Sequence, residues 1–213
     1  MAASKRRGDR RTQRTRQMLQ QAFLEVAREK GFASTSIQDI TDRANVNRGT
    51  FYLHFTDKYM LADTIIREDF HRLLTDTLPP MSRWDRRTLH LLIQSMLDYF
   101  ERKYRHRRLP HDVALLVEQA IHEELTGLLL TWLKQLKRAV TREAAPLETM
   151  ARVVSWAIFG TALQWSQEET TMSSEQMAHA ILLVVLEGVC DILPHMHIAA
   201  NPPSMEIIKD DHE

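Results

Sequence analysis

Residues 44–55, ANVNRGTFYLHF, set two asparagines, an arginine, a glycine and a threonine directly before Phe51, Tyr52, His54 and Phe55. The preceding stretch, STSIQDITDRA, offers two capping pairs, Thr35 with Gln38 or Ser36 with Asp39. Ile37, Ile40 and Ala44 then form the apolar face of a short helix. Asparagine tolerates positive φ, so Asn45 fits a tight turn, and Asn47 is placed to cap a third helix. Two short helices joined by such a turn make a helix-turn-helix, whose second helix carries its N-terminal residues into a DNA major groove. Arg48, Gly49 and Thr50 fall in that helix's first turn. Small side chains there permit close approach to DNA, Arg48 has the reach for a guanine edge or a phosphate, and the Thr50 methyl suits a thymine methyl. Phe51 and Phe55, four apart, are expected in the core, with Tyr52 and His54 on other faces as phosphate ligands. Lys58 follows a cap-like Thr56, where its ammonium and the N-terminal amides of a fourth helix are expected to share a phosphate.

Working outward, the 213 residues, 44% hydrophobic and 26% charged, are enough for one ordinary domain or for a small domain joined to a larger one. Periodicity predicts helices at 10–30, 36–43, 47–53, 57–78, 84–105, 110–140 with a break, 147–167 and 174–192, and no strands. The fold class is therefore all-α. In the first helix Leu19, Ala22, Phe23, Val26 and Ala27 share one face, and Gly31 suits its C-terminal cap. Pro79-Pro80 forbids a continuous helix and marks a joint. The expected division is 1–56 for DNA binding with a basic arm, 57–78 as a connecting helix, 79–193 as a second helical domain and 194–213 as a loose tail.

The formal net charge of zero conceals an asymmetry: the first 60 residues hold twelve Lys and Arg against six Asp and Glu. Seven of those cations, Lys5, Arg6, Arg7, Arg10, Arg11, Arg14 and Arg16, lie in the first sixteen positions, as in a solvated tail or a nucleic-acid contact. No stretch approaches the roughly 20 apolar residues of a membrane span and the N-terminus lacks a signal peptide's apolar core, so a cytoplasmic chain with no membrane partner is expected. The single Cys190 is expected to be a buried, inert thiol in a reducing compartment.

Residues 31–61, GFASTSIQDITDRANVNRGTFYLHFTDKYML, resemble the DNA-binding signature of the TetR family of bacterial transcriptional regulators, with its Thr-rich cap, Asp-Ile in the second helix, short turn and Gly-Thr-Phe-Tyr-x-His-Phe. The resemblance implies a homodimer on a double-stranded DNA operator. It also implies a C-terminal helical domain for ligand binding and dimerisation, with repression relieved when a small-molecule effector spreads the recognition helices. Carried over, it implies phosphate contacts at Thr35, Ser36, Tyr52, His54 and Lys58 and base contacts at Arg48, Gly49 and Thr50. The chain departs from the pattern at Asn45, where glycine is usual, and at Tyr59, where an acidic residue is common.

Helices 147–167 and 174–192 are apolar more than halfway round, with Gly160 and Gly188 among small-residue strips, so they are expected to pair with their symmetry mates in a four-helix bundle. Met96, Tyr99, Phe100, Leu129, Trp132, Trp156 and Phe159 are candidates to line an effector cavity or, equally, to be ordinary core. Glu118, Glu123 and Glu124 read as a solvated helix face or as a counter-charge for a cation. HEELT at 122–126 lacks the second histidine of a zinc-protease motif. No phosphate loop, nucleophile elbow or metal cluster is legible, so neither an enzyme nor a cofactor is expected. The functional expectation is a repressor released by a lipophilic or aromatic effector. The alternative is a similar DNA-binding protein without its own effector, acting as a co-activator through a protein partner or as a nucleoid-associated factor.

Overall fold

The computed structural model describes residues 2–105, 110–137, 146–169 and 171–192. Among them lie eight α-helices and no strand: α1 (Ala2–Lys30), α2 (Ile37–Arg43), α3 (Arg48–Tyr52), α4 (Lys58–Thr77), α5 (Arg86–Tyr104), α6 (His111–Lys137), α7 (Leu147–Gln167) and α8 (Ser174–Ile192). Expected boundaries recur to within a few residues except at α1, which is helical from Ala2, so the backbone of the basic arm continues the first helix. The expected break in the sixth helix is absent over His111–Lys137. The tail 194–213 lies outside the described residues, as does the side chain of Cys190.

Local chemistry accounts for where the helices stop and start. Gly31, at φ 81°, closes α1 with its N–H on the Ala27 carbonyl at 3.0 Å. Leu78, held extended (φ −92°, ψ 139°) by the proline that follows, ends α4. Asp57, not Thr56, caps α4, accepting from the Met60 N–H at 2.8 Å, while the Thr56 hydroxyl lies 3.4 Å from the Met60 sulfur. A carboxylate at this position also complements the helix dipole, an advantage a hydroxyl lacks. Asp85 caps α5 in the same way through Thr88.

Two apolar clusters organise the helices. The smaller gathers Leu19, Ala22, Phe23, Phe32, Ile40, Ala44, Phe51, Phe55, Leu61 and Ala62 from α1 to the start of α4. The larger runs from Phe70 on α4 through α5, α6, α7 and α8 to Leu186. Val113, on the first turn of α6, packs against both. Arg67 on α4 adds a polar tie, reaching Asp63 on its own helix at 2.9 Å and Glu123 and Glu124 on α6 at 2.6 and 3.1 Å. These bonds outweigh burial and hold the guanidinium pKa above its ordinary value, Asp63 contributing most. No helix among the described residues is long and apolar enough to cross a membrane.

Candidate nucleic-acid interface

The turn between α2 and α3 is built from its hydrogen bonds. Asn45 sits at φ 52°, its N–H on the Asp42 carbonyl at 3.2 Å, and the Val46 N–H returns to the Thr41 carbonyl at 3.0 Å. This is a Schellman closure of α2 with asparagine in the left-handed position that more often holds glycine. Val46 packs against the smaller core, which fixes the exit direction of the chain. Asn47 then caps α3: its Oδ1 accepts from the Thr50 N–H at 2.7 Å and the Thr50 hydroxyl at 3.0 Å. A Cβ added at Gly49 would lie 3.2 Å from that same oxygen, so glycine here leaves the cap undisturbed and the helix surface bare.

Phe51 and Phe55 are buried, and they anchor α3 to the core. The opposite side presents Arg48, Gly49, Tyr52 and Leu53, all exposed. Tyr52 is 51% exposed, with its hydroxyl accepting a long 3.5 Å contact from Arg48. Leu53, 83% exposed, had no role in the sequence reading. Its signal was the spacing 49, 52, 53, which places it on the same face as Gly49 and Tyr52. His54 is half-buried beside the Phe55 ring. Thr50 donates its hydroxyl proton to Asn47, which leaves its methyl as the group suited to a base.

Two of the expected contact residues, Thr35 and Lys58, are placed differently from expectation, whereas Ser36 caps α2 through Asp39, one of the two pairs the sequence offered. Thr35 is 2% exposed and donates its hydroxyl to the Gly31 carbonyl at 2.8 Å, so it holds the α1–α2 connection from inside. Ser36 is the true cap of α2, forming a capping box in which it donates to the Asp39 carboxylate and accepts from the Asp39 N–H. Lys30, 2.6 Å from the Asp39 carboxylate, and Ser36 together hold the Asp39 pKa well below the usual carboxylate range. Lys58 directs its ammonium inward to the carbonyls of Phe32, Ala33 and Thr35 at 3.0, 2.9 and 2.9 Å, beside the Phe32 ring. An ammonium has three protons, and here each has a carbonyl.

The residues proposed for an effector cavity do not gather around one. Met96, Phe100 and Leu129 are fully buried, and Tyr99, Trp132 and Phe159 nearly so, in the larger core. Tyr99 donates its hydroxyl to Asp69 at 3.0 Å, and its ring meets Phe70, Phe100 and Tyr104 edge-on. Trp156 is 43% exposed on α7, stacked 4.4 Å from the His122 ring. Trp132 reaches a cleft of ≈ 710 Å³ between α4 and α6. The apolar periodicity that marks a core position is the same whether a neighbour or a void lies beyond it.

Residues 21–65 match the sequence model of the bacterial regulatory proteins, tetR family. Over 60 residues, 28% of this chain and 16% of the relative, the sequence is 48% identical to the uncharacterized HTH-type transcriptional regulator YxbF of Bacillus subtilis (strain 168). Over 76 residues it is 34% identical to the HTH-type transcriptional repressor DhaR of Mycobacterium sp. (strain GP1), covering 32% of this chain and 38% of that one. These alignments thus span less than two fifths of either curated relative. Beyond them the likeness is one of fold: Thermus thermophilus FadR, a TetR-family repressor solved with lauroyl-CoA, aligns over 89% of this chain and 99% of its own with a TM-score of 0.52 at 23% identity. With a capped short helix built on the matched segment and the same helical order carried through the remainder, residues 21–65 match the bacterial regulatory proteins, tetR family, and the rest of the chain shares the fold of a solved member of that family.

Proposed function

We propose that this chain is a homodimeric transcriptional repressor that binds a two-fold symmetric operator through α3 and is released by a small lipophilic or aromatic effector. The observation that carries the DNA-binding part is the surface of α3. Arg48, Gly49, Tyr52 and Leu53 stand exposed on one side of a helix whose other side is pinned by two buried phenylalanines. Arg48 reads a base edge, the Thr50 methyl and Leu53 meet thymine methyls, and Tyr52 and His54 hold phosphates. Residues 1–56 form the DNA-binding unit, 57–78 connect it, and 79–193 provide dimerisation and sensing. DhaR is described as a repressor and the FadR structure holds an acyl-CoA, which supports the direction of control and an apolar ligand. The tight packing around Met96, Phe100 and Leu129 favours the second reading, a co-activator or nucleoid-associated protein with no effector of its own.

Selection from random duplex DNA tests the first reading: a palindrome with half-sites about 34–36 Å or a multiple apart is expected, and recovery of no symmetric site overturns it. On that site Arg48→Ala should cost about 1–3 kcal/mol, with little change on random DNA. Equal losses on both, measured by anisotropy titration, would make Arg48 a phosphate contact.

The arm contributes without reading sequence. At 100° per residue, positions 6, 7, 10, 11 and 14 of α1 fall within an arc of about 140°, and Arg14 lines the same surface groove as Arg43 and Ala44 at the end of α2. Deleting residues 1–9 removes Lys5, Arg6, Arg7 and Asp9. It should weaken operator and random DNA alike and lower the salt slope by about two to three units, because fewer counterions are released. An unchanged slope would make the arm a bystander.

A further inference from the structure

The cleft between α4 and α6 is amphipathic along its length. At one end Arg67, His71, Glu123 and Glu124 line it; at the other, Leu74, Leu78, Leu128 and Trp132 do, with Thr75, Thr131 and other uncharged polar side chains between them and Pro79 and Pro80 alongside. From position 67 to position 77, the end of α4, is about 15 Å at 1.5 Å per residue, the reach of a medium-length chain or a two- to three-ring system. Its ≈ 710 Å³ falls within the span of small-molecule sites, about 300–1,000 Å³.

The charge at the polar end is unbalanced. One guanidinium serves three carboxylates, those of Asp63, Glu123 and Glu124. Glu123 and Glu124 are 51% and 37% exposed at their side chains, open to the cleft and to solvent. A cation arriving there meets surplus negative charge beside an apolar wall. It also has a mechanical consequence, because Arg67 holds Asp63 on its own helix and the two glutamates on the next. An ammonium that takes over Glu123 and Glu124 leaves Arg67 paired within α4 and dissolves the α4–α6 tie without stranding a charge. The N-terminal end of α4 is bonded through Lys58 to the segment that leads into α2.

We infer that this cleft, rather than the packed interior, is the effector site, and that it takes an amphipathic organic cation, with its head at Glu123 and Glu124 and its apolar body along Leu74, Leu78, Leu128 and Trp132. The inference rests on the repressor reading above.

Decylamine and decanoate, equal in chain length and opposite in charge, separate head preference from grease. By isothermal titration decylamine should bind once per chain, at least tenfold tighter than decanoate, and weaken operator affinity at least fivefold. Glu123→Gln with Glu124→Gln should erase the preference. Gly127→Phe should abolish binding of both, since Gly127 lines the cleft and a side chain there meets open space, with no core residue displaced. Equal affinity for the two heads, decylamine binding unchanged in either variant, or binding that leaves operator affinity untouched overturns the assignment. Operator affinity of the unliganded protein is read in the same samples. If it is intact while decylamine fails, the cleft falls and the repressor reading stands; if no symmetric DNA is bound, the repressor reading falls by itself.

Discussion

Gly160→Arg is expected to give a folded chain that sediments as a monomer or aggregates and binds the palindromic operator at least 100-fold more weakly than the parent. On α7, Val153 and Trp156 are 62% and 43% exposed, and Gly160 continues their spacing of three and four. On α8, Val184 is 69% exposed, with Ala180 and Gly188 four residues to either side. Large apolar side chains flanked by small residues on two successive helices form a surface that wants a partner, and a second copy supplies the same surface by two-fold symmetry. Among the described residues, nothing beyond the local helix backbone and chain neighbours lies within 4 Å of a Cβ built at Gly160 or Gly188, so an arginine there spares the described core and strikes what packs against the outside. The size of the effect follows from symmetry. For an operator held at nanomolar affinity, about −12 kcal/mol, halving the contacts leaves about −6 kcal/mol, an affinity of roughly tens of micromolar, and the 100-fold figure is a conservative floor. Sedimentation velocity and anisotropy on the selected site decide it. A Gly160→Arg protein that remains a dimer, or a parent that is monomeric at micromolar concentration, removes α7 and α8 from the interface.

The elements that the sequence made plain are those whose signals are local. Helices 147–167 and 174–192 match α7 and α8 to the residue, since Pro146 precedes one and a Ser-rich stretch the other. Asn45 could be placed in the turn because few residues tolerate its φ. The first helix starts earlier than its apolar periodicity predicts: the arm's charge density speaks for a solvated tail or a nucleic-acid contact and leaves the backbone open, whereas Ala, Lys and Arg are good helix formers, and α1 offers a nucleated helix to extend. Charge composition speaks to solvation more than to backbone conformation. Contact residues were harder to read, for a different reason. Thr35 and Ser36 look alike in sequence, but one hydroxyl points to a carbonyl in the interior and the other closes a capping box. Glu123 and Glu124 read as a solvated face because the residue that organises them, Arg67, lies more than fifty positions away.

Lys58 carries that lesson into the second large expected effect. Lys58→Met should destabilise the N-terminal unit by about 1–3 kcal/mol, and the operator affinity lost with it should follow from unfolding rather than from a missing phosphate contact. The ammonium draws together the carbonyls of Phe32, Ala33 and Thr35, three acceptors in a segment with few other bonds to fix it. Methionine keeps much of the apolar stem against Phe32 and Tyr59, so the substitution isolates the charge and its bonds. Water can replace part of what is lost at this half-buried position, which keeps the figure well below the sum of three charge-assisted bonds. Hydrogen exchange distinguishes the roles. As a staple, Lys58 protects amides where residues 31–36 meet the start of α4, for example the Thr35 N–H that bonds the Phe32 carbonyl, and Lys58→Met speeds their exchange about 5- to 150-fold, the equivalent of 1–3 kcal/mol. As a phosphate ligand, it would leave that exchange unchanged in free protein while the salt slope of DNA binding fell by about one unit. The three short bonds to carbonyls in the unbound chain put the weight on the first outcome, since a phosphate would have to draw the ammonium away from all of them.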